Sequence, residues 1–432
     1  MSPIGTAGGR SAERFRTLHL LTRNRDFRRL NLAIFVSSVG DPLTLAVSLV
    51  LLYSTYSSAL AIGAAYGCRV VAALLVGSGI GSLADRLERR RLVVRLELAR
   101  CALVATMPIA TSVSVLLVLP YLALLGGIEA LVQPARQAAV PRLVGEEQIE
   151  ASNSILMSGF ALAQALGFAV AGVFLTLLPD PRPLYWADAL TFAVAAGLTA
   201  SLPSLGGGLI TVRFLGGLGR ALRLPVVRPL LLGGGAANLM IGMGLPAILP
   251  IAFLLSGAGA AAYTLLEVAV IGGILLGSVL AARISSHRTI QAMAGSLWLF
   301  SVACLAVALT PGLPGAVLGM AASGIGNAVF AVSVRSALMR AAPPDVRGTV
   351  MAVRFSLTQA AQVLGLGLGA LAVAGVGARW DFALVAAGLG AVALVWSVYR
   401  RQPPPAGPVA EAEERTSGGG GNGEADQGPV WA

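Results

Sequence analysis

Along this chain, apolar runs of about the length that crosses a bilayer, roughly 20 residues, alternate with short polar turns. They fall near residues 31–53, 59–83, 92–112, 115–139, 150–178, 185–203, 229–256, 261–284, 289–310, 314–340, 347–376 and 380–399. The pattern predicts an all-α polytopic membrane protein with twelve transmembrane helices. The longest turn, 204–228, is rich in glycine and arginine and divides the chain into two six-helix halves, 31–203 and 229–399. Residues 1–30 read as an arginine-rich arm ending in a short amphipathic helix. Residues 400–432, rich in Pro, Gly, Glu and Ala, hold too few apolar side chains to fold and are expected to be disordered.

Composition agrees with this class. Of 432 residues, 56% are hydrophobic and 12% charged, about half the charged fraction of a soluble protein. The net charge of +11 comes from 31 basic residues, all arginine. Their placement fixes an orientation. The arginines of 1–30, Arg86 to Arg95, Arg136, Arg142, Arg213 to Arg228, Arg283, Arg288, Arg335 to Arg347, Arg400 and Arg401 fall on alternate turns; the opposite set holds only Arg182 and Arg379. Basic residues gather on the cytoplasmic side, so both termini are expected in the cytoplasm of a multi-pass protein of the cell inner (plasma) membrane. A positive charge used in this way does not call for nucleic acid as a partner.

The most telling stretch is Gly77-Ser-Gly-Ile-Gly-Ser-Leu-Ala-Asp85-Arg86-Leu-Glu-Arg89-Arg90-Arg91, a dense charged turn between two apolar runs. Its glycines allow close backbone approach. Asp85, past a helix C-terminus, is poorly placed against that helix's dipole and is expected to cap or pair elsewhere. Gly81-x-Leu83-Ala84-Asp85-Arg86-x-x-Arg89-Arg90 resembles the loop 2–3 signature of the major facilitator superfamily of secondary transporters, with Glu88 where a second glycine is expected. Three further stretches resemble the enterobactin and macrolide exporter branch of that superfamily: Arg25-Asp-Phe27-Arg28-Arg29-Leu30, Pro134-Ala-Arg136-Gln-Ala and Arg347-Gly348-Thr-Val-Met351. The resemblance implies two halves related by an axis along the membrane normal, alternating access, and a gating role for Gly81, Asp85, Arg86, Arg89 and Arg90. A weak internal repeat fits: Pro134 to Arg142 is similar to Ser333 to Arg340. Phe168 stands where exporters of the superfamily often carry the proline of a glycine-proline signature.

Ionisable residues inside hydrocarbon are costly and functional by default. Counting ~1.5 Å per residue from the run ends puts Asp41, Arg69 and Glu129 near the midplane, with Gln133 one turn beyond Glu129. They are expected to cluster, two acids about one arginine. One acid then carries a transported proton; alternatively the cluster is a structural ion pair. Glu97 and Arg100 are placed within snorkelling reach of the cytoplasm. Asp188 reads as a helix cap beside an aromatic belt. Glu267 is the second protonation or cation-binding candidate, and Asn238 a hydrogen-bonding one, on a run whose Gly242, Gly244, Pro246 and Pro250 suggest a hinge. Absence of lysine excludes a phosphate loop of the Gly-x-x-x-x-Gly-Lys type, two distant histidines give no metal site, and no nucleophile-base-acid set appears.

The expectation is therefore a secondary active transporter and not an enzyme. It has no cofactor, acts as a monomer, and couples efflux of a small amphipathic molecule (drug, macrolide or siderophore) to protons. The alternatives are a solute importer of the same fold or a non-transporting membrane scaffold or sensor.

Overall fold

A computed structural model describes residues 22, 24–79, 88–145, 148–205, 219, 221–257, 259–285, 288–343 and 346–399. Among these residues the chain forms twelve long helices and no strand. They are α1 (Arg25–Tyr56), α2 (Ala59–Gly79), α3 (Arg89–Val113), α4 (Val118–Val144, preceded by a 3-10 turn at Val115–Leu117), α5 (Ile149–Leu177) and α6 (Pro183–Ala200). The second set is α7 (Val227–Leu255), α8 (Gly259–Ala281), α9 (Thr289–Leu309), α10 (Leu313–Ala341), α11 (Arg347–Val376) and α12 (Ala378–Tyr399). Ten are long and apolar enough to cross a membrane. The other two are α3, which opens on Arg89, Arg90 and Arg91 and carries Glu97 and Arg100, and α6, only 18 residues long.

The expected short helix before the first span does not exist separately: α1 is one 32-residue helix. Asn24 caps it by accepting the Phe27 N–H at 2.9 Å, satisfying a donor that the first turn leaves free. Phe27 and Leu30 are then buried with Ala139, Val140, Leu156, Leu202 and Leu205, so packing carries the helix through the arginine-rich segment.

The two halves repeat one packing scheme. In the first, α1 packs on α5 and α6, α2 on α4, and α3 on α6; in the second, α7 packs on α11 and α12, α8 on α10, and α9 on α12. Across the halves α5 meets α8 and α2 meets α11. Helices in lipid have little hydrophobic drive toward one another, so small residues that admit close approach decide where they touch. A side chain at Gly167 would collide with the Val39 carbonyl and Pro42 of α1, and one at Gly365 with the Leu239 carbonyl of α7, matched contacts in the two halves. Three successive glycines of α7 receive three different helices: Gly233 the Trp396 indole of α12, Gly234 Val334 of α10, and Gly235 Leu357 of α11.

Candidate functional site

Within the first half, Asp41, Arg69 and Glu129 do converge, but around a residue that the sequence pattern placed elsewhere. Arg100, 1% exposed, extends Nη2 to Asp41 Oδ1 at 2.5 Å, and its Nη1 lies 3.1 Å from Glu129 Oε2 and 3.5 Å from Glu97 Oε1. The Glu129 approach is a charge contact without hydrogen-bond alignment. Arg69 Nη2 stands 4.0 Å from Asp41 Oδ1, the outer member of the set. Arg136, 2% exposed, closes the far side: its Nη2 is 2.9 Å from Glu97 Oε1, and both terminal nitrogens lie 3.3 Å from Ser37 Oγ. Gln133 Nε2 donates to Glu129 Oε1 at 2.7 Å, fixing the carboxylate one turn away.

Glu97 and Arg100 are thus not snorkelling groups. They lie on the stripe of α3 that also buries Val93, Val104, Met107 and Thr111. The depth count failed because α3 begins at Arg89, so Arg100 lies about 16 Å along it at ~1.5 Å per residue. The expected ratio of two acids to one arginine changes with it. Asp41, Glu97 and Glu129 face Arg69, Arg100 and Arg136, and the nearby Asp188 carboxylate also acts on Arg100 and Asp41. The Phe192 ring lies 4.0 Å from Arg100 Cζ, a cation–π contact that suits a guanidinium far from water.

Close approach makes the site possible. A side chain at Gly126 on α4 would strike the backbone carbonyl of Arg69, and one at Gly40 would strike the Asp188 carboxylate and Thr191 hydroxyl. Asp188 is correspondingly not an exposed cap: fully buried within α6, its Oδ2 accepts from Thr44 at 2.5 Å and its Oδ1 from Thr191 at 3.0 Å.

Glu267 lies apart from this cluster. Its partner is Tyr263, one turn back on α8, and the Tyr263 hydroxyl meets the Tyr66 hydroxyl of α2 at 3.3 Å. This contact joins the halves. Phe168, in the place of the expected proline, packs edge-on against Tyr263 with ring centres 6.1 Å apart, and a side chain at Gly172 would strike Thr264. The Tyr53 and Phe253 rings meet at a tilt of 56° with centres 5.1 Å apart. These contacts lie toward the end of the bundle where α1 turns into α2. Asn238 is not drawn to either group; its amide returns to the Gly234 carbonyl of its own helix at 2.9 Å.

Of the expected gating set, Gly81, Asp85 and Arg86 lie outside the described residues. Arg90 Nη1 reaches the Leu202 carbonyl at 2.9 Å. Glu88 has acquired a role of its own. It caps α3 by accepting the Arg91 N–H at 3.3 Å and accepts the Leu205 N–H at 3.2 Å. Partial desolvation pushes its carboxyl up. The Leu205 and Arg91 N–H bonds, with the nearby Arg90 charge, outweigh this and hold it below the usual carboxylate range.

With this geometry in hand, the sequence profile of the Major Facilitator Superfamily matches residues 30–202 and 230–424. The chain belongs to that superfamily. It is a transporter by family and not an enzyme. The staphyloferrin A transporter of Staphylococcus aureus (strain NCTC 8325 / PS 47) is 27% identical over 156 residues, covering 34% of this chain and 38% of the relative, well under two thirds of its length. Among solved structures, the nucleoside transporter NupG superposes with a TM-score of 0.73 at 13% identity, covering 88% of this chain and 100% of that one. A bacterial homologue of the iron transporter ferroportin, in an inward-facing state, gives 0.69 at 15% identity over 88% and 100%. At such identities the likeness concerns the fold.

Proposed function

We propose that this superfamily member is a proton-coupled exporter of a small amphipathic molecule, working by alternating access in the cell inner membrane with both termini cytoplasmic. The observation that carries the reading is the buried set of Asp41, Glu97 and Glu129 with Arg69, Arg100 and Arg136. Three acids share three cations at different distances, and Arg69 is the most loosely held at 4.0 Å from Asp41. Moving Arg69 away leaves Asp41 and Glu129 competing for Arg100, and the acid that loses takes up a proton. Rocking of the halves supplies that movement, because α2 carries both Arg69 and the inter-half contact at Tyr66.

The arginine bias of the turns assigns the α1–α2 end to the outside. The Tyr66–Tyr263, Phe168–Tyr263 and Tyr53–Phe253 contacts then seal the outer side, which corresponds to an inward-facing arrangement. Loop 2–3, with Asp85 and its arginines, gates the cytoplasmic side. The staphyloferrin A transporter's similarity favours siderophore-like cargo over sugars, whose many hydroxyls need more hydrogen-bonding groups than the apolar runs of this chain offer.

The test is efflux in inverted vesicles energised with a proton gradient, using dyes, antibiotics and siderophores. Accumulation is expected to vanish with an uncoupler and in Asp41→Asn or Glu129→Gln. Retention of gradient-driven accumulation in both variants and in their double would show that the cluster is a structural lock. Accumulation in right-side-out vesicles instead would establish import.

A further inference from the structure

The second half lacks the charge balance of the first. Arg347 opens α11, and Arg354 stands seven residues on, on the same face and about 10 Å deeper at ~1.5 Å per residue. The charged group acting on Arg354 is Arg335 of α10, of like sign. Arg347 Nη2 reaches the Ala342 carbonyl at 3.4 Å, but the Nε atoms of Arg347 and Arg354 are buried without a hydrogen-bond partner. Among the described residues none of these three arginines forms an ion pair.

The internal repeat shows the contrast. Arg335 stands where Arg136 does, but Arg136 is buried against Glu97 of α3 whereas Arg335 is exposed. On α9, the counterpart of α3, residues Thr289–Leu309 contain no acid, and neither do α7, α10 or α11. Arg335 and Arg354 lie on the two helices that meet the glycine run of α7: Val334, beside Arg335, meets Gly234, and Leu357, one turn beyond Arg354, meets Gly235. Nitrogens kept from water without an opposite charge, as the Nε atoms of Arg347 and Arg354 are, are costly, and the planar guanidinium fork matches carboxylates and phosphates.

We propose that Arg335, Arg347 and Arg354 form a binding site for an anionic group, a carboxylate or a phosphate, at the α2–α3 end of the second half. The ladder from Arg347 to Arg354 suits a molecule bearing more than one such group. Two sources share this chemistry: a polycarboxylate cargo on its way into the transporter, or the phosphate of an acidic lipid headgroup. The first source rests on the export reading above; the binding site itself does not.

The experiment measures binding without transport. Purified protein in phosphatidylcholine nanodiscs is titrated with tricarballylate and with inorganic phosphate, following thermal stabilisation and tryptophan fluorescence. The expected result is salt-sensitive stabilisation that weakens at least about tenfold, or 1.4 kcal/mol, in Arg335→Gln/Arg354→Gln, with partial rescue in Arg354→Lys. Nanodiscs containing phosphatidylglycerol separate the sources: stabilisation by this lipid that tricarballylate does not displace, lost in the double variant, assigns the site to headgroups. Equal binding by the double variant, or stabilisation by none of the three anions, overturns the site. So does destabilisation by Asp345→Asn matching that of a lost counter-ion, since that residue lies outside the described set. Failure of proton-driven efflux alone would count against the export reading and leave this result standing.

Discussion

The two halves share one packing scheme but dispose of their charge in opposite ways. In the first half every deeply buried arginine has an acid within 4 Å: Arg100 with Asp41, Glu97 and Glu129, and Arg136 with Glu97. In the second half the described acids are Glu267 and Asp381, on α8 and α12, while arginines gather near the end of α10 and the start of α11. The contrast is sharpest between α6 and α12. Asp188 is buried and accepts from two threonines; Asp381 is equally buried, yet neither carboxylate oxygen has a hydrogen-bond partner. A shared fold therefore does not impose shared electrostatics. The first half is built around a network of paired opposite charges, and the second keeps its acids and its arginines apart.

The comparison is broken most directly at Arg100. Arg100→Gln leaves three acids around a weakened centre and is expected to destabilise the purified protein by about 3–5 kcal/mol. Arg354→Gln should be neutral or stabilising in the absence of anions. Equal losses in thermal denaturation would erase the distinction between halves. Partial restoration of Arg100→Gln by Glu129→Gln, read as a double-mutant cycle, would sharpen it.

The aspartates give the next largest difference. Asp188→Asn disturbs two donors and is expected to cost about 1–3 kcal/mol, whereas Asp381→Asn removes an unpartnered carboxylate and should cost little or raise the melting temperature. A larger loss at Asp381 would mean that an undescribed group serves it.

A kinetic difference follows from the contacts between halves. Gly172→Leu forces α5 away from Thr264 of α8. It should reduce turnover severalfold while leaving detergent-solubilised cargo binding within about a factor of two, an effect under 0.5 kcal/mol. Loss of binding and turnover together would argue that Gly172 supports the fold and not the closure.

The smallest effect is expected at Glu88, a partly exposed group whose bonds count for tenths of a kcal/mol to about 1 kcal/mol. Its folded pKa is lowered, so its contribution is present above the ordinary carboxylate range and is lost as pH falls through the lowered value. Glu88→Gly, which restores the superfamily's glycine, should speed proteolysis after Leu205 at neutral pH and abolish the acid-induced increase expected of the parent. An unchanged cleavage rate would exclude the clamp between Glu88 and Leu205.

What was legible follows from where the physics is local. Asp41, Arg69, Glu129 and Gln133 were found because each is a polar residue inside an apolar run. Arg100 and Glu97 were missed because three arginines at the head of α3 obscured where the helix starts. Their spacing with Val93, Val104 and Met107 was the available signal, since a charged pair on a core stripe is not a snorkelling pair. Arg136 was read as part of a cytoplasmic turn because α4 runs on to Val144, beyond the end of its apolar run.

The sequence by itself determined the class, the number of helices and the two-half division, because hydrocarbon admits only long apolar helices with satisfied backbones and twelve runs of that length are plain in the chain. It also singled out the ionisable residues within those runs. Only the tertiary structure decided which charge meets which. Partners such as Arg100 and Asp41 are 59 positions apart, and Tyr66 and Tyr263 are 197 apart. Contacts over such separations depend on helix rotation and on glycines that admit close approach, and neither is written in the periodicity of a single helix.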